Sequence, residues 1–167
     1  IARTTRVRKP CVACNNGSIM ALILKKLQET LVGVLTQSFP QLSIVPCGVH
    51  SLEKLQAQRS KKLRPVQVHV AYPMPLQVAE DITALYWQKI ALQLTVMTKL
   101  TTSDDNSIYE YAEQISYALS HRAIATPDCE VYFELNTLNP WKELPFNSPW
   151  MSLQINFTSS QCNLHLS

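Results

Sequence analysis

A chain of 167 residues lies in the size range of one domain and can bury roughly two thirds of its unfolded surface around a single core. Apolar residues make up 46% and charged residues 16%, a globular balance that excludes an intrinsically disordered chain, and a net charge of +3 is too small for a dense nucleic-acid-binding face. Three glycines beside ten prolines exclude a glycine-rich phosphate loop and a flexible linker, because both need the φ freedom that glycine supplies at least cost.

The charge is unevenly placed. Arg3, Arg6, Arg8 and Lys9 crowd the N-terminal end, and Lys54, Arg59, Lys61, Lys62 and Arg64 form a second basic cluster. Each cluster reads as a solvated arm or loop, or as a contact for phosphates or an acidic partner surface. No window approaches the ~18 consecutive apolar residues of a membrane span, so no membrane partner is expected. The apolar stretch from Ile19 to Leu24 is short and lacks a small-residue cleavage site after it, which speaks against a secretory leader and for synthesis in a cytosol. Residues 1–19 are read as a basic N-terminal extension, 20–160 as a single α+β domain and 161–167 as a C-terminal tail.

Five cysteines, at positions 11, 14, 47, 129 and 162, are odd in number and too scattered for a disulfide framework, so reduced thiols are expected. Cys11-Val-Ala-Cys14 and Cys47-Gly-Val-His50 do have the internal spacing of two halves of a tetrahedral zinc site. The 32 residues between them, however, are filled by a predicted helix and a strand where a zinc ribbon has short hairpins. The expectation is no metal and no cofactor.

From Ser18, Ile19, Ile23, Leu27, Leu31 and Val34 or Leu35 recur at helical steps with Lys25, Lys26, Gln28 and Glu29 between them, predicting a helix that stops near Phe39-Pro40. Leu42 to Val45 reads as a strand closed by Pro46 and Gly48, and Val66, Val68 and Val70 alternate with polar partners as a half-buried strand. Ile90, Leu92, Leu94 and Val96 form a long strand expected to pair with it, and the intervening 73–88 segment is expected to project as an arm or long hairpin. Ser107-Ile-Tyr-Glu110 matches a capping box opening a second helix, with Ile108, Tyr111, Ala112, Ile115 and Leu119 as its apolar stripe. Two closing strands carry Val131, Phe133, Leu135 and Leu153, Ile155, Phe157, and Asn139 to Pro145 reads as a turn-rich connection. The predicted order is α-β-β-β-α-β-β. It implies an α+β fold with a mainly antiparallel sheet of four to five strands and two helices packed on one face.

The residues show no enzymatic constellation. A nucleophilic site needs an activated serine or cysteine with a base and an oxyanion turn, and no Gly-x-Ser-x-Gly motif is present. Glu80-Asp81, Asp104-Asp105, Glu110 and Glu113 sit where loops and caps place carboxylates. His69, on the polar face of a strand, His121, at a helix end, and His165 have no partner visible in sequence, and Cys129 and Cys162 have no flanking group that would lower a thiol pKa. Tyr132, between Glu130 and Glu134, does not suit an RNA-stacking sheet, because carboxylates repel phosphate. Trp87, Trp141 and Trp150 lie in or beside loops, either as interface anchors or folded back onto the core.

In element order and spacing, from the helix at Met20 through the Pro65–Val70 run to the two closing strands, residues 20–160 resemble the tail terminator proteins of long-tailed bacteriophages, particularly the Mu-like tail protein group. The resemblance implies a virion structural protein at the neck end of the tail. It would be made in the host cytoplasm and would form a homo-hexameric ring that caps the tail tube and joins it to the head connector or neck protein, with DNA passing through without sequence recognition. The interface residues expected are Tyr72, Tyr86, Trp87, Asp104, Asp105 and Trp141. The rival readings are another connector, neck or tail-tube component and, from a different class, a zinc-stabilised nucleic-acid-binding adaptor.

Overall fold

The helical spacing of Ile23, Leu27, Leu31 and Leu35 becomes the buried face of the first helix, α1 (Val12–Ser38), in a computed structural model that describes residues 12–48, 64–76, 89–99, 107–137, 141–144 and 150–164. The helix starts before Met20 and takes in residues 12–19. Pro10 precedes this start and no proline interrupts the stretch, while Gly17 alone costs only about 1 kcal/mol of helix propensity. At the other end Pro40 stops the helix, with the Phe39 amide still bonded to the Leu35 carbonyl at 2.9 Å.

The strands that follow are β1 (Ser43–Pro46), β2 (Val66–Val70), β3 (Met74–Pro75) and β4 (Ile90–Lys99). Helix α2 (Ile108–Ser120) leads to β5 (Ala123–Ala125), β6 (Cys129–Leu135), β7 (Trp141–Leu144) and β8 (Trp150–Leu164). The eight strands among the described residues join one sheet in the order β1-β2-β4-β8-β6-β5, with β3 added along β4 and β7 along β8.

The expected sheet of four to five mainly antiparallel strands is therefore corrected to a mixed sheet of eight. Strand β1 runs parallel to β2, because residues 47–65 leave enough chain for a crossover rather than a hairpin. Strands β3, β5 and β7 have two, three and four residues, too few to show a period of two in sequence. The turn-rich connection at 139–145 thus contains a strand: β7, separated from the end of β6 by the five residues 136–140, continues along the edge of β8 that β6 leaves at Leu135–Phe157.

Other readings stand. Strands β2 and β4 are antiparallel neighbours with Val68 opposite Val96. The Ser107 hydroxyl accepts the Glu110 amide at 3.2 Å while the Glu110 carboxylate accepts the Ser107 amide at 2.6 Å, a complete capping box. The apolar stripes of both helices form one buried cluster with Ile90, Leu92, Leu94, Val96, Leu153, Ile155 and Phe157. Side-chain ties, among them those of Gln28 and Lys26, fix α1 onto the sheet. Gln28 is buried and its amide donates to the carbonyls of Cys47 and Val70 at 2.7 and 2.9 Å, and Lys26 pairs with Asp128 at 2.6 Å. Among the described residues no helix is long and apolar enough to cross a membrane.

Leu94 has no exposed surface at the centre of this cluster, so Leu94→Ala should lower unfolding free energy by about 2–5 kcal/mol through lost burial and a cavity. Ser107→Ala removes one cap and should cost about 1 kcal/mol. Urea denaturation of both variants checks the ranking.

Candidate functional site

Aromatic residues gather where α2 meets the far end of β7 and β8. Strand β7 carries Trp141 opposite Ile155 and Glu143 opposite Leu153, which places both on the helix-covered face. Helix α2 begins above them, and Tyr109, on its solvent side, lies 6.3 Å from Trp141 between ring centroids at an interplanar angle of 31°. The Tyr109 hydroxyl donates to the Glu143 carboxylate, which holds the phenol proton and raises its pKa. A cavity of about 180 Å³ opens here between Tyr109, Glu143, Trp150 and Met151. On the adjoining strand Lys99 Nζ sits 5.3 Å above the Trp150 ring, within cation–π range. Trp141 is packed against the core, and its indole Nε1 is buried without a hydrogen-bond partner among the described residues.

The predicted interface residues divide. Trp141 belongs to this aromatic corner. Tyr72, beyond β2, is half-buried and its hydroxyl donates to the Ala21 carbonyl at 2.6 Å, so it ties the sheet to α1. Tyr86, Trp87, Asp104 and Asp105 lie outside the described residues, as does most of the 73–88 segment. Sequence reasoning missed Tyr109 and Tyr117, although a signal was there: Tyr109, Glu113 and Tyr117 stand at four-residue steps on the side of α2 opposite its apolar stripe. Tyr117 is 67% exposed, and its ring stacks on His121 with centroids 4.0 Å apart.

A second polar cluster lies on the other side of the fold. The parallel pairing of β1 with β2 brings Cys47 Sγ to 3.3 Å from His69 Nδ1, and His69 Nε2 lies 3.1 Å from Gln67 Oε1. With Nε2–H donating to the amide oxygen, the neutral ring presents Nδ1 as an acceptor for the thiol proton. Burial pushes the Cys47 thiol up and the His69 imidazole down, so both favour the uncharged pair. A thiol held protonated is a poor nucleophile and a poor metal ligand. The described residues contain no group of three potential metal ligands, while Cys11 and His50 lie outside them and Cys14 falls within α1. His69 thus has partners: Cys47, brought from across a parallel strand pair that local pattern does not reveal, and Gln67, two residues earlier on its own strand. Cys129 is buried beside Thr126 at 3.3 Å, as a bystander thiol would be. The Tyr132 hydroxyl donates to Glu130 at 3.0 Å on the polar face.

Compared with known protein families and with curated proteins, the chain matches no family model and no individual sequence.

The Cys47–His69 pair sets a pH window. A lowered imidazole pKa means stability that is present above the ordinary value of 6.5 and is lost as pH falls through the folded value. A raised thiol pKa means stability that is present below 9.0 and is lost as pH rises through its folded value. Thermal melts should therefore be flattest between these limits, and His69→Gln should reduce the acid-side slope.

Proposed function

We propose that the protein is a virion structural component, a tail terminator that closes the tail tube of a long-tailed phage as a six-membered ring and joins it to the head connector or neck. The observation that carries this reading is the exposure of large aromatic and thioether side chains on α2 and at the start of β8. Tyr109, Tyr117 and Met151 are 42%, 67% and 41% exposed. Such residues are the usual anchors of protein interfaces, because they bury much area at little conformational cost.

Two further features support it. The order of elements keeps the layout on which the family resemblance rests, with the short strands inserted between the expected ones. The sheet face away from the core is polar, carrying Gln93, Thr95, Gln154, Asn156 and Thr158 with Lys142 and Glu134 paired beside them, a mixture of signs and not a basic row that would grip a phosphate backbone. A different neck, connector or tail-tube part would use the same kind of surface, and location within the particle separates these readings. A zinc-stabilised adaptor would instead need one metal per chain, lost on Cys47→Ser.

Native mass spectrometry of the isolated protein should show a six-copy species. Tyr109→Ala should leave circular dichroism and the monomer melt nearly unchanged while weakening assembly roughly tenfold or more, as loss of an interface aromatic commonly does. Particles lacking the protein should carry tails of irregular length or tails detached from heads. Normal tails on heads in its absence would overturn the assignment.

A further inference from the structure

Between the C-terminal end of α1 and the solvent side of α2 lies an open groove of about 530 Å³, lined by Phe39, Glu110, Glu113, Gln114 and Tyr117. Its floor is apolar, one rim is the exposed Tyr117 ring, and its charged side chains are both carboxylates. Neighbouring cations are already engaged. Arg122 donates to the Ala118 carbonyl at 3.1 Å and to the Ser38 hydroxyl at 2.6 Å, Arg64 donates to the Pro40 carbonyl, and His121 is stacked on Tyr117. Glu110 uses one oxygen for the capping box. Glu113 is exposed on the face that carries Tyr109 and Tyr117.

We propose that this groove receives the basic segment Arg3–Lys9 of a second copy of the chain. The segment has four cations in seven residues, Arg3, Arg6, Arg8 and Lys9, interleaved with Thr4, Thr5 and Val7. A guanidinium can lie flat on the Tyr117 ring while its N–H groups pair with Glu113, and the stem of the side chain covers Phe39.

Reach makes the contact intermolecular. From Val12 to Ser38 the helix α1 is 27 residues long, which at 1.5 Å per residue places the groove roughly 40 Å from the point where the basic segment joins the helix. Fully extended chain spans about 3.3–3.6 Å per residue, so Lys9 reaches about 10 Å from Val12 and Arg3 about 30 Å. No cation of the segment reaches its own groove if the chain runs even fully extended along α1. A neighbour supplies it instead, each copy giving at one end of α1 and receiving at the other, which is the head-to-tail pattern that closes rings. Single exposed ion pairs are weak, so several of them with one aromatic contact, repeated around a ring, are what makes the association hold.

The docking deepens the ring reading above, resting on it for the number of copies but not for the contact itself. The test is sedimentation velocity and native mass spectrometry on the full chain at low and high salt. Arg3→Glu/Arg6→Glu/Arg8→Glu and, separately, Glu113→Lys should each weaken self-association roughly tenfold or more with unchanged circular dichroism. Their combination should restore it in part, because the reversed charges again face each other. Wild-type association should fall as salt rises. Assembly unaffected by either variant overturns the docking and leaves the ring standing. A complex of another stoichiometry that is lost on charge reversal overturns the six-copy ring and leaves the docking. Loss on Lys61→Glu/Lys62→Glu with none on Arg3→Glu/Arg6→Glu/Arg8→Glu assigns the groove to the internal basic cluster and overturns the proposal. A wild-type chain that stays monomeric overturns both.

Discussion

Strand β8 is the constraint on which the rest of the structure depends. Its 15 residues pair with β4 along one edge and with β7 and then β6 along the other, so one chain segment joins both halves of the sheet. Leu153, Ile155 and Phe157 point into the core from this strand with at most 2% exposure, opposite Val96, Leu94 and Leu92. That row joins the β1-β2-β4 half of the sheet to the β6-β5 half, with α1 packed on β1, β2 and β5 and α2 on β4, β8 and β6. Strand length does more here than any single contact, since each added residue fixes register with two partners at once.

Where the pairing of β8 changes, polar groups take over. Beyond Thr158 the strand no longer pairs with β4, and the buried Ser159 hydroxyl accepts the Ile90 amide at 2.7 Å instead. On the opposite side of β4 the edge is covered first by β2 and then by β3, which resumes after a bend at residues 71–73. Gln28 serves the same need at the ends of β1 and β2, giving the Cys47 carbonyl a donor and the Val70 carbonyl a second one beside the Cys47 amide at 2.7 Å. The core is thus apolar in its centre and closed at its margins by a few side-chain hydrogen bonds.

Elements long enough to display a period were legible in the sequence. Val66–Val70, Ile90–Lys99, the capped α2 and the strands bearing Phe133 and Ile155 were readable because alternation or a helical stripe runs through each. What was not legible has two physical causes. Short strands such as β3 and β5 are recruited by the neighbour they pair with and carry little signal of their own. Long-range pairing, such as the parallel β1–β2 contact that joins Cys47 to His69, depends on topology that local pattern does not encode. Of the interface residues expected from the resemblance, Trp141 stands in an aromatic corner and Tyr72 serves the fold, while Tyr109, Glu113 and Tyr117 on α2 share a four-residue spacing that marks an exposed helix face without marking a role for it.

The two outer strands on the described path of the sheet, β1 and β5, suit association through side chains rather than through backbone. Strand β1 has four residues and ends in Pro46, and β5 has three. A short edge offers few unpaired amides and carbonyls, and a proline removes one donor more, so edge-to-edge pairing gains little and does not propagate into fibres. A groove that accepts a charged segment behaves differently. It holds one segment and is then saturated, and its geometry relative to the donor end of α1 fixes the angle between successive copies. A saturable, directional contact closes into a ring when the rotation between successive copies closes on itself, whereas an open edge recruits any exposed strand. A protein whose proposed task is to stop a polymer has good reason to place its adhesive groups on a helix face and a basic arm, and to keep its sheet edges short.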